Sequence, residues 1–336
     1  DQEVDVYAIW SKNTYKVIYQ YQIDEGSTQT IEKNCAYNAT HEVLSEAALG
    51  ITYNGYQIEK FEGTDGQDYT VGQTFAMPAN NLTLRIVWKV NEYTIVYNSN
   101  YDSYEAEAVE STTAKVKFNE TITLKSDLTF NGFTFAGWAF TSEATSAKYA
   151  ANALTNISGK TLVEDKHTSG TVDYDVTSIE LYAVWSANKY TVSFNTHFAD
   201  VSVDSVEIYY KDNRLTATVE PTTLTLRSDL KETGYTFKGW SYENNGEVLS
   251  YTLNTYELID NAVTGGYMTY ANNSELTLHA VWEANKYTVI FDANGGDCET
   301  NNKEVTYGEP YGHLHRLRQL ETRELRHNKH SWKTKK

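Results

Sequence analysis

Proline is nearly missing from this chain, with three residues in 336, and cysteine and methionine occur twice each. Scarce proline leaves few forced breaks in extended pairing, and together with 27 tyrosines and abundant threonine and valine it favours strands over helices. The two cysteines, Cys35 and Cys298, lie far apart in the chain and supply no disulfide framework, a rarity of thiols that suits either the cytosol or a Gram-positive surface. No run of 18 apolar residues occurs, and no signal peptide opens the chain at Asp1. Basic charge is in deficit, with 28 lysines and arginines against 45 acidic residues and a net charge of −17. Such a surface repels phosphate backbones and anionic lipid, so nucleic acid is not expected as a partner. Catalytic signatures are missing too. There is no P-loop and no G-x-S-x-G, His41, His167, His197 and His279 lack metal spacing, and neither cysteine has a nearby histidine to make it a nucleophile. No cofactor is expected.

What is there is a repeat. Residues 6–19, 84–97, 181–194 and 278–291 read VYAIWSKNTYKVIY, LRIVWKVNEYTIVY, LYAVWSANKYTVSF and LHAVWEANKYTVIF. Their tryptophans, Trp10, Trp88, Trp185 and Trp282, stand 78, 97 and 97 residues apart, a period that marks a tandem array of small units. The array divides into the end of a preceding repeat (1–10), module 1 (13–88), module 2 (91–185), module 3 (188–282), the start of a truncated fourth module (285–312) and a basic tail (313–336). A chain that opens in the last strand of a preceding unit is expected to be a fragment of a larger protein. Only about four residues separate one module from the next, a reach of at most roughly 14 Å. Neighbouring modules in the chain are therefore expected to touch, forming an elongated, semi-rigid array. Three modules of about 33 Å each predict a rod on the order of 100 Å, with a scattering radius of about 30 Å against roughly 20 Å for one compact globule.

Within module 1, residues 15–23 and 28–34 read as a hairpin around Asp24, Glu25 and Gly26. Thr40 is expected to cap a helix with Val43, Leu44, Ala47 and Ala48 on one face and Gly50 past its end. Residues 55–61, 70–77 and 82–88 follow as strands. The order is strand, strand, helix, then strands, a mainly β (α+β) module. In modules 2 and 3 the stretches 124–138 and 226–240 match position by position and end in Gly-Trp, with Phe61 standing where Trp138 and Trp240 stand. The extra residues of these modules all enter their second halves. Residues 139–178 and 241–274 are polar and rich in Ser, Thr, Asn and Gly, and read as loops or added hairpins.

FDANGG (291–296), EVTYGEPYG (304–312), GYTFKGW (234–240), FAMPANNLTL (75–84) and LYAVW (181–185) together resemble the Listeria-Bacteroides repeat, the internalin B-repeat type of bacterial surface proteins. The resemblance spans the chain to about Gly312. It implies tandem β-grasp, ubiquitin-like modules in cell-surface stalks and adhesins, mostly without a catalytic role. Module 1 departs from the motif at Ile58 and Phe61, and modules 2 and 3 are longer than the plain module.

Trp138 and Trp240 are the candidate ligand contacts, since apolar sugar faces stack on aromatic rings. Against this, each ring can simply be buried between sheet and helix, with the preceding glycine admitting close approach. Asp292, Asn294 and Asp297 around Gly295-Gly296 hint at a calcium loop but lack the full ligand spacing, and an Asn-Gly hairpin turn accounts for them. The titratable groups of the first insert, Glu143, Glu164, Asp165, His167, Asp173 and Asp175, form no recognisable catalytic arrangement. Residues 313–336 hold eight lysines or arginines against two glutamates, a net +6. They read as a non-native or disordered end, the alternative being a basic amphipathic helix with Leu314, Leu317 and Leu325 on one face, the only part suited to a lipid surface or acidic partner. The expected function is a non-enzymatic segment of an extracellular bacterial surface or secreted protein, a stalk, adhesin spacer or weak multivalent binder of a surface protein or glycan. The alternative is a carbohydrate-binding array of a secreted glycan-degrading enzyme.

Overall fold

A computed structural model describes residues 2–100, 112–167, 170–211, 222–292 and 302–310. They fall into two compact units, one of residues up to Ala187 and one of residues from Asn188. The chain is mainly β, with several small sheets in tandem. Asn294, Asp297, Cys298 and the basic tail lie outside the described residues.

Module 1 opens the first unit with a hairpin of β1 (Thr14–Tyr21) and β2 (Gln29–Ala36), paired without interruption from Thr14↔Ala36 to Tyr21↔Gln29. Next come β3 (Thr40–Glu42), α1 (Glu46–Leu49), β4 (Tyr56–Gly63), β5 (Asp68–Tyr69), β6 (Thr74–Ala76) and β7 (Leu82–Val90). The closing strand β7 takes the centre of the sheet, parallel to β1 and antiparallel to β4, in the order β2-β1-β7-β4-β5. Two-residue alternation sets its faces: Leu82, Leu84 and Ile86 join Val17, Tyr19 and Phe61 in the core, and Arg85 points to solvent.

The helix is shorter than the sequence predicts. Thr40 pairs with Ala76 in the small β3–β6 sheet, and Val43 donates its backbone N–H to the Gln73 carbonyl, so this segment is held extended. Helix formation starts only after Ser45, whose Oγ accepts from the Ala48 N–H at 3.3 Å, and ends at Gly50 with φ 69°, where the sequence places its end. Strand pairing at a distance overrides local helix propensity here. The strand expected over 70–77 is reduced to β6, because its first half is a turn at Val71-Gly72 in which the Gln73 N–H donates to the Thr70 carbonyl at 3.0 Å.

Module 2 completes the first unit with β8 (Glu92–Asn98), β9 (Thr112–Lys117), β10 (Thr121–Ile122), β11 (Phe133–Ala139), β12 (Tyr149–Ala150), β13 (Ile157–Ser158), α2 (Gly159–Lys166) and β14 (Ser178–Ala187). Its sheet runs β12-β11-β14-β8-β9, with β10 and β13 paired separately. The second unit repeats this plan in β15 (Lys189–Asn195), β16 (Val206–Tyr209), β17 (Thr223–Thr225), β18 (Tyr235–Ser241), β19 (Thr252–Asn254), α3 (Thr255–Thr264) and β20 (Glu275–Ala284), ordered β16-β15-β20-β18. A further hairpin, β21 (Lys286–Ile290) with β22 (Asn302–Thr306), follows.

The two inserts are not loops alone. Each holds a helix after the Gly-Trp strand, where the sequence reading places none. Ser158 caps α2 by accepting from the Thr161 N–H at 3.0 Å, and α2 buries Leu162 and Val163; α3 buries Leu258, Ile259 and Ala262. Module 1 has only residues 77–81 between β6 and its closing strand β7, and Met77 there is 1% exposed in the core.

The recurrent tryptophans are staples of the sheet. Trp88, Trp185 and Trp282 each donate Nε1–H to a carbonyl beyond the first strand of their own module, Gln22 at 3.0 Å, Ser99 at 2.9 Å and Thr196 at 2.9 Å. The same indole therefore joins the closing strand to the first strand three times, and a polar handle on a large apolar ring is what this position needs.

Candidate functional site

Trp138 and Trp240, the candidate ligand contacts, are both fully buried at 0% exposure. Each donates Nε1–H to a carbonyl thirteen residues earlier, Lys125 at 2.7 Å and Arg227 at 2.8 Å, and each packs edge-on against a phenylalanine of its own strand, Phe135 or Phe237. The preceding glycines have φ of 137° and 145°, and a Cβ on Gly137 would overlap the Tyr149 carbonyl. As placed, neither indole offers a ring face to solvent, so stacking on a sugar would require it to leave the core.

Several titratable side chains of the inserts are paired within the fold. Asp165 accepts from Tyr149 Oη at 2.8 Å and pairs with Lys148 at 2.9 Å, and Glu164 accepts from Tyr174 Oη at 3.2 Å. In module 3, Asp260 accepts from both Tyr210, at 2.7 Å, and Tyr270, at 2.8 Å. Burial, and then the Asp260 carboxylate, push the Tyr270 phenol up to about 12, and the same causes raise Tyr210. Burial with Asp65 beside it puts Tyr69 of module 1 at about 12. These phenols stay protonated and act as hydrogen-bond donors. Asp173 turns back on its own chain, accepting from the Asp175 N–H at 3.0 Å.

The histidines are dispersed. His41 Nε2 lies 2.9 Å from Tyr19 Oη, and burial lowers its basicity. His167 Nε2 accepts from the Asp173 N–H at 3.3 Å. His197 and His279 stack with centroids 5.3 Å apart, and His197 is lowered by burial and then by the charge His279 can carry. A depression of 580 Å³ next to this pair is lined by residues 194–199. Among the described residues no group of three or more His, Cys, Asp or Glu side chains is placed to hold a metal ion.

The most regular arrangement lies where one module follows another. In the first unit, the linker residue Asn91 donates its N–H to the Gly55 carbonyl at 2.9 Å and accepts from the Phe118 N–H at 2.9 Å. The Phe118 ring thereby covers Gly55, whose Cβ would overlap it, and meets Tyr56 edge-on at 6.0 Å. In the second unit, Asn285 donates to the Gly234 carbonyl at 2.8 Å and accepts from the Tyr307 N–H at 2.9 Å, and the Tyr307 ring covers Gly234 and meets Tyr235 edge-on at 5.5 Å. Both glycines also need a left-handed backbone, φ 79° and 82°. The two junctions are the same clasp: an asparagine bonded to both neighbours, and an aromatic ring seated on a glycine of the module before. Asn91 adds an Nδ2 bond to the Tyr174 carbonyl at 2.9 Å, which anchors the linker to its own module. Sequence reading passed over these residues, although an asparagine follows each boundary tryptophan by three positions, at Asn13, Asn91, Asn188 and Asn285. That spacing is the signal that finds the clasp.

Comparison with known proteins agrees with this repeating plan. The family model described as the Listeria-Bacteroides repeat domain matches residues 93–163, 190–264 and 287–318. The matched segments start at Tyr93, Tyr190 and Tyr287, two residues after each linker asparagine, and lie outside module 1. A protein of Evansella cellulosilytica named "Putative Gly-rich membrane protein" is 27% identical over 294 residues, covering 87% of this chain and 28% of that protein. A second protein of the same organism, named "Putative membrane protein", is 26% identical over 294 residues, covering 87% of this chain and 35% of its own length. The chain thus spans roughly a third of the length of these curated relatives. No helix among the described residues is long and apolar enough to cross a membrane.

Proposed function

Because the chain belongs to the Listeria-Bacteroides repeat domain family, we propose that it is a non-enzymatic spacer segment of a bacterial surface protein, holding other parts of that protein at a set distance from the cell. The recurrence of one clasp at two junctions is the observation that carries this reading. A freely hinged linker needs no defined partners, whereas here the linker N–H and C=O are both bonded and a ring is seated across the joint. The relatives' names place those proteins at a membrane, and their length leaves room for other segments to carry the anchor and the ligand. The buried state of Trp138 and Trp240 supports a supporting role over a sugar-binding one.

Small-angle scattering of the whole chain tests the proposal. The expected radius of gyration is about 30 Å, against roughly 20 Å for a compact globule of this length. Phe118→Ala, which removes the ring but no residue of the module 1 core, is expected to broaden the distance distribution while leaving the content of strand unchanged. A compact radius, or a distribution that Phe118→Ala leaves unaltered, rejects the spacer reading.

A further inference from the structure

The parallel pairing of first and closing strands brings the same positions together in each complete module. Its register sets Gln20 opposite Arg85, Asn98 opposite Tyr182 and Asn195 opposite His279. Two residues beyond the first member of each pair stand Gln22, Asn100 and His197. Asn100 and His197 both hold a left-handed backbone just past the end of their strand, φ 58° and 64°. In module 2 this position serves the fold, Asn100 donating Nδ2–H to the Ser142 and Ala183 carbonyls at 3.0 Å each. Module 3 puts an imidazole there and a second one on the closing strand. The ring centres of His197 and His279 are 5.3 Å apart, with His197 exposed and His279 half-buried. Stacking does not satisfy the inner ring. His279 Nδ1 is buried with no hydrogen-bond partner among the described residues, a condition that buried polar atoms rarely tolerate. His197 also lines the 580 Å³ depression formed by residues 194–199, far more space than the roughly 30 Å³ of one water molecule.

We propose that His197 and His279 are the protein ligands of a site for a divalent transition-metal ion of the zinc class. Neutral imidazole nitrogen suits zinc, copper and nickel, whereas calcium and magnesium demand oxygen ligands. When each nitrogen stands about 2.0–2.1 Å from one tetrahedral ion, the two ring centres fall on the order of 5 Å apart. The observed separation matches that spacing. The rings stand 25° from parallel, so coordination turns the exposed His197 ring until its nitrogen faces the ion held by His279 Nδ1. Water in the depression completes the shell, and the acidic surface, net −17, concentrates cations around it. Sequence spacing conceals the pair, because its members come from two strands and meet only through the parallel register. The site is independent of the spacer reading, since a module of a stalk can bear it without any change to the frame.

Isothermal titration of the full chain with zinc chloride tests this proposal. His313, His315, His327 and His330 can take up zinc by themselves, so all four are replaced by glutamine in the parent chain. The expected result is one zinc ion per chain, with His197→Gln and His279→Gln each weakening uptake by more than about tenfold, since even changes beside a metal ligand cost that much. Calcium chloride is expected to give no such uptake. Because His197 is exposed, its variant should keep the parent's denaturant midpoint, which separates loss of binding from loss of folding. Nitrogen NMR of the imidazoles reads the same event at the rings: zinc should shift the His197 and His279 signals and leave those of His41 and His167 in place. No zinc uptake by the parent overturns the proposal, as does uptake that both substitutions leave unchanged or a shift spread over all four imidazoles.

Discussion

Module 1 and modules 2 and 3 share a sheet but complete their cores by different means. In modules 2 and 3 a tryptophan is bonded to a carbonyl of the preceding coil, a left-handed glycine sits at the bulge before it, and a helix follows. In module 1 the equivalent positions hold Phe61 and Lys60, the helix is a single turn placed before this strand, and Met77 is buried in the core between β6 and β7. The bulge itself is present in all three, between Ile58 and Lys60, Phe135 and Gly137, and Phe237 and Gly239. First and closing strands thus form a fixed frame, and what closes the remaining side of the core is exchangeable. The extra residues of the longer modules accumulate where exchange is tolerated.

The largest test of this contrast is truncation of the central aromatic. Trp138→Ala is expected to cost about 3–5 kcal/mol, and Phe61→Ala a comparable amount. Trp138→Phe separates the two designs, because it abandons the Lys125 carbonyl, a loss of about 1–3 kcal/mol, whereas module 1 already works with phenylalanine. Denaturant unfolding with hydrogen exchange read in β11 and β4 measures both. If Trp138→Phe costs nothing, the indole hydrogen bond is not what distinguishes the modules.

Next in size is the cover on the core. Leu162→Ala in α2 and Met77→Ala in module 1 are each expected to lose about 2–5 kcal/mol, since both side chains are essentially unexposed. A Met77 variant that unfolds no more easily than the parent would show that module 1 leaves this side of its core open. Smaller again is the bulge. Gly137→Ala must hold an alanine at φ 137° against the Tyr149 carbonyl, a cost of about 1–3 kcal/mol. Lys60→Ala, at the same place in module 1, removes exposed pairings with Asp68 and Glu62 and should stay within about 0.5 kcal/mol.

The smallest expected effect is in acid. The folded-state pKa values of His41 in module 1 and His197 in module 3 lie below the ordinary histidine value, so the unfolded chain takes up the proton first. Their contribution to stability is complete above about pH 6.5 and is lost as pH falls through the depressed folded values. Unfolding midpoints measured at pH 8 and again in mild acid should therefore fall, and His41→Gln or His197→Gln should flatten the dependence in its own module. An unchanged slope in both variants would mean that other groups govern the acid response.

The sheet was legible in the sequence because it depends on local alternation and on a motif repeated four times. Strands β1, β2, β4 and β7 fall close to where the pattern of Val, Ile, Tyr and Leu places them. The helices were not legible to the same degree. Thr40 has the chemistry of a cap, but its backbone is claimed by Ala76, thirty-six residues away in sequence, and no local pattern reports that. In α2 the buried pair Leu162-Val163 is too short a signal to stand out of a polar stretch. The α3 helix did leave a trace, since Leu258, Ile259 and Ala262 share a helical face after Asn254, and the polar composition around them concealed it. Trp138 and Trp240 could be picked out as special from their Gly-Trp spacing, but whether a tryptophan faces solvent or core depends on what packs over it from elsewhere in the chain.

The parallel pairing of first and closing strands has a mechanical consequence. A module is joined to its neighbours at the start of its first strand and the end of its closing strand, and in a parallel pair these two points lie at opposite ends. Tension along the chain therefore slides the two strands past each other. The backbone bonds that link 17–20 to 82–85, 94–98 to 178–182 and 191–195 to 275–279 are loaded together in shear, and none can be unzipped ahead of the rest. Each module meets a pull with its most cooperative set of bonds.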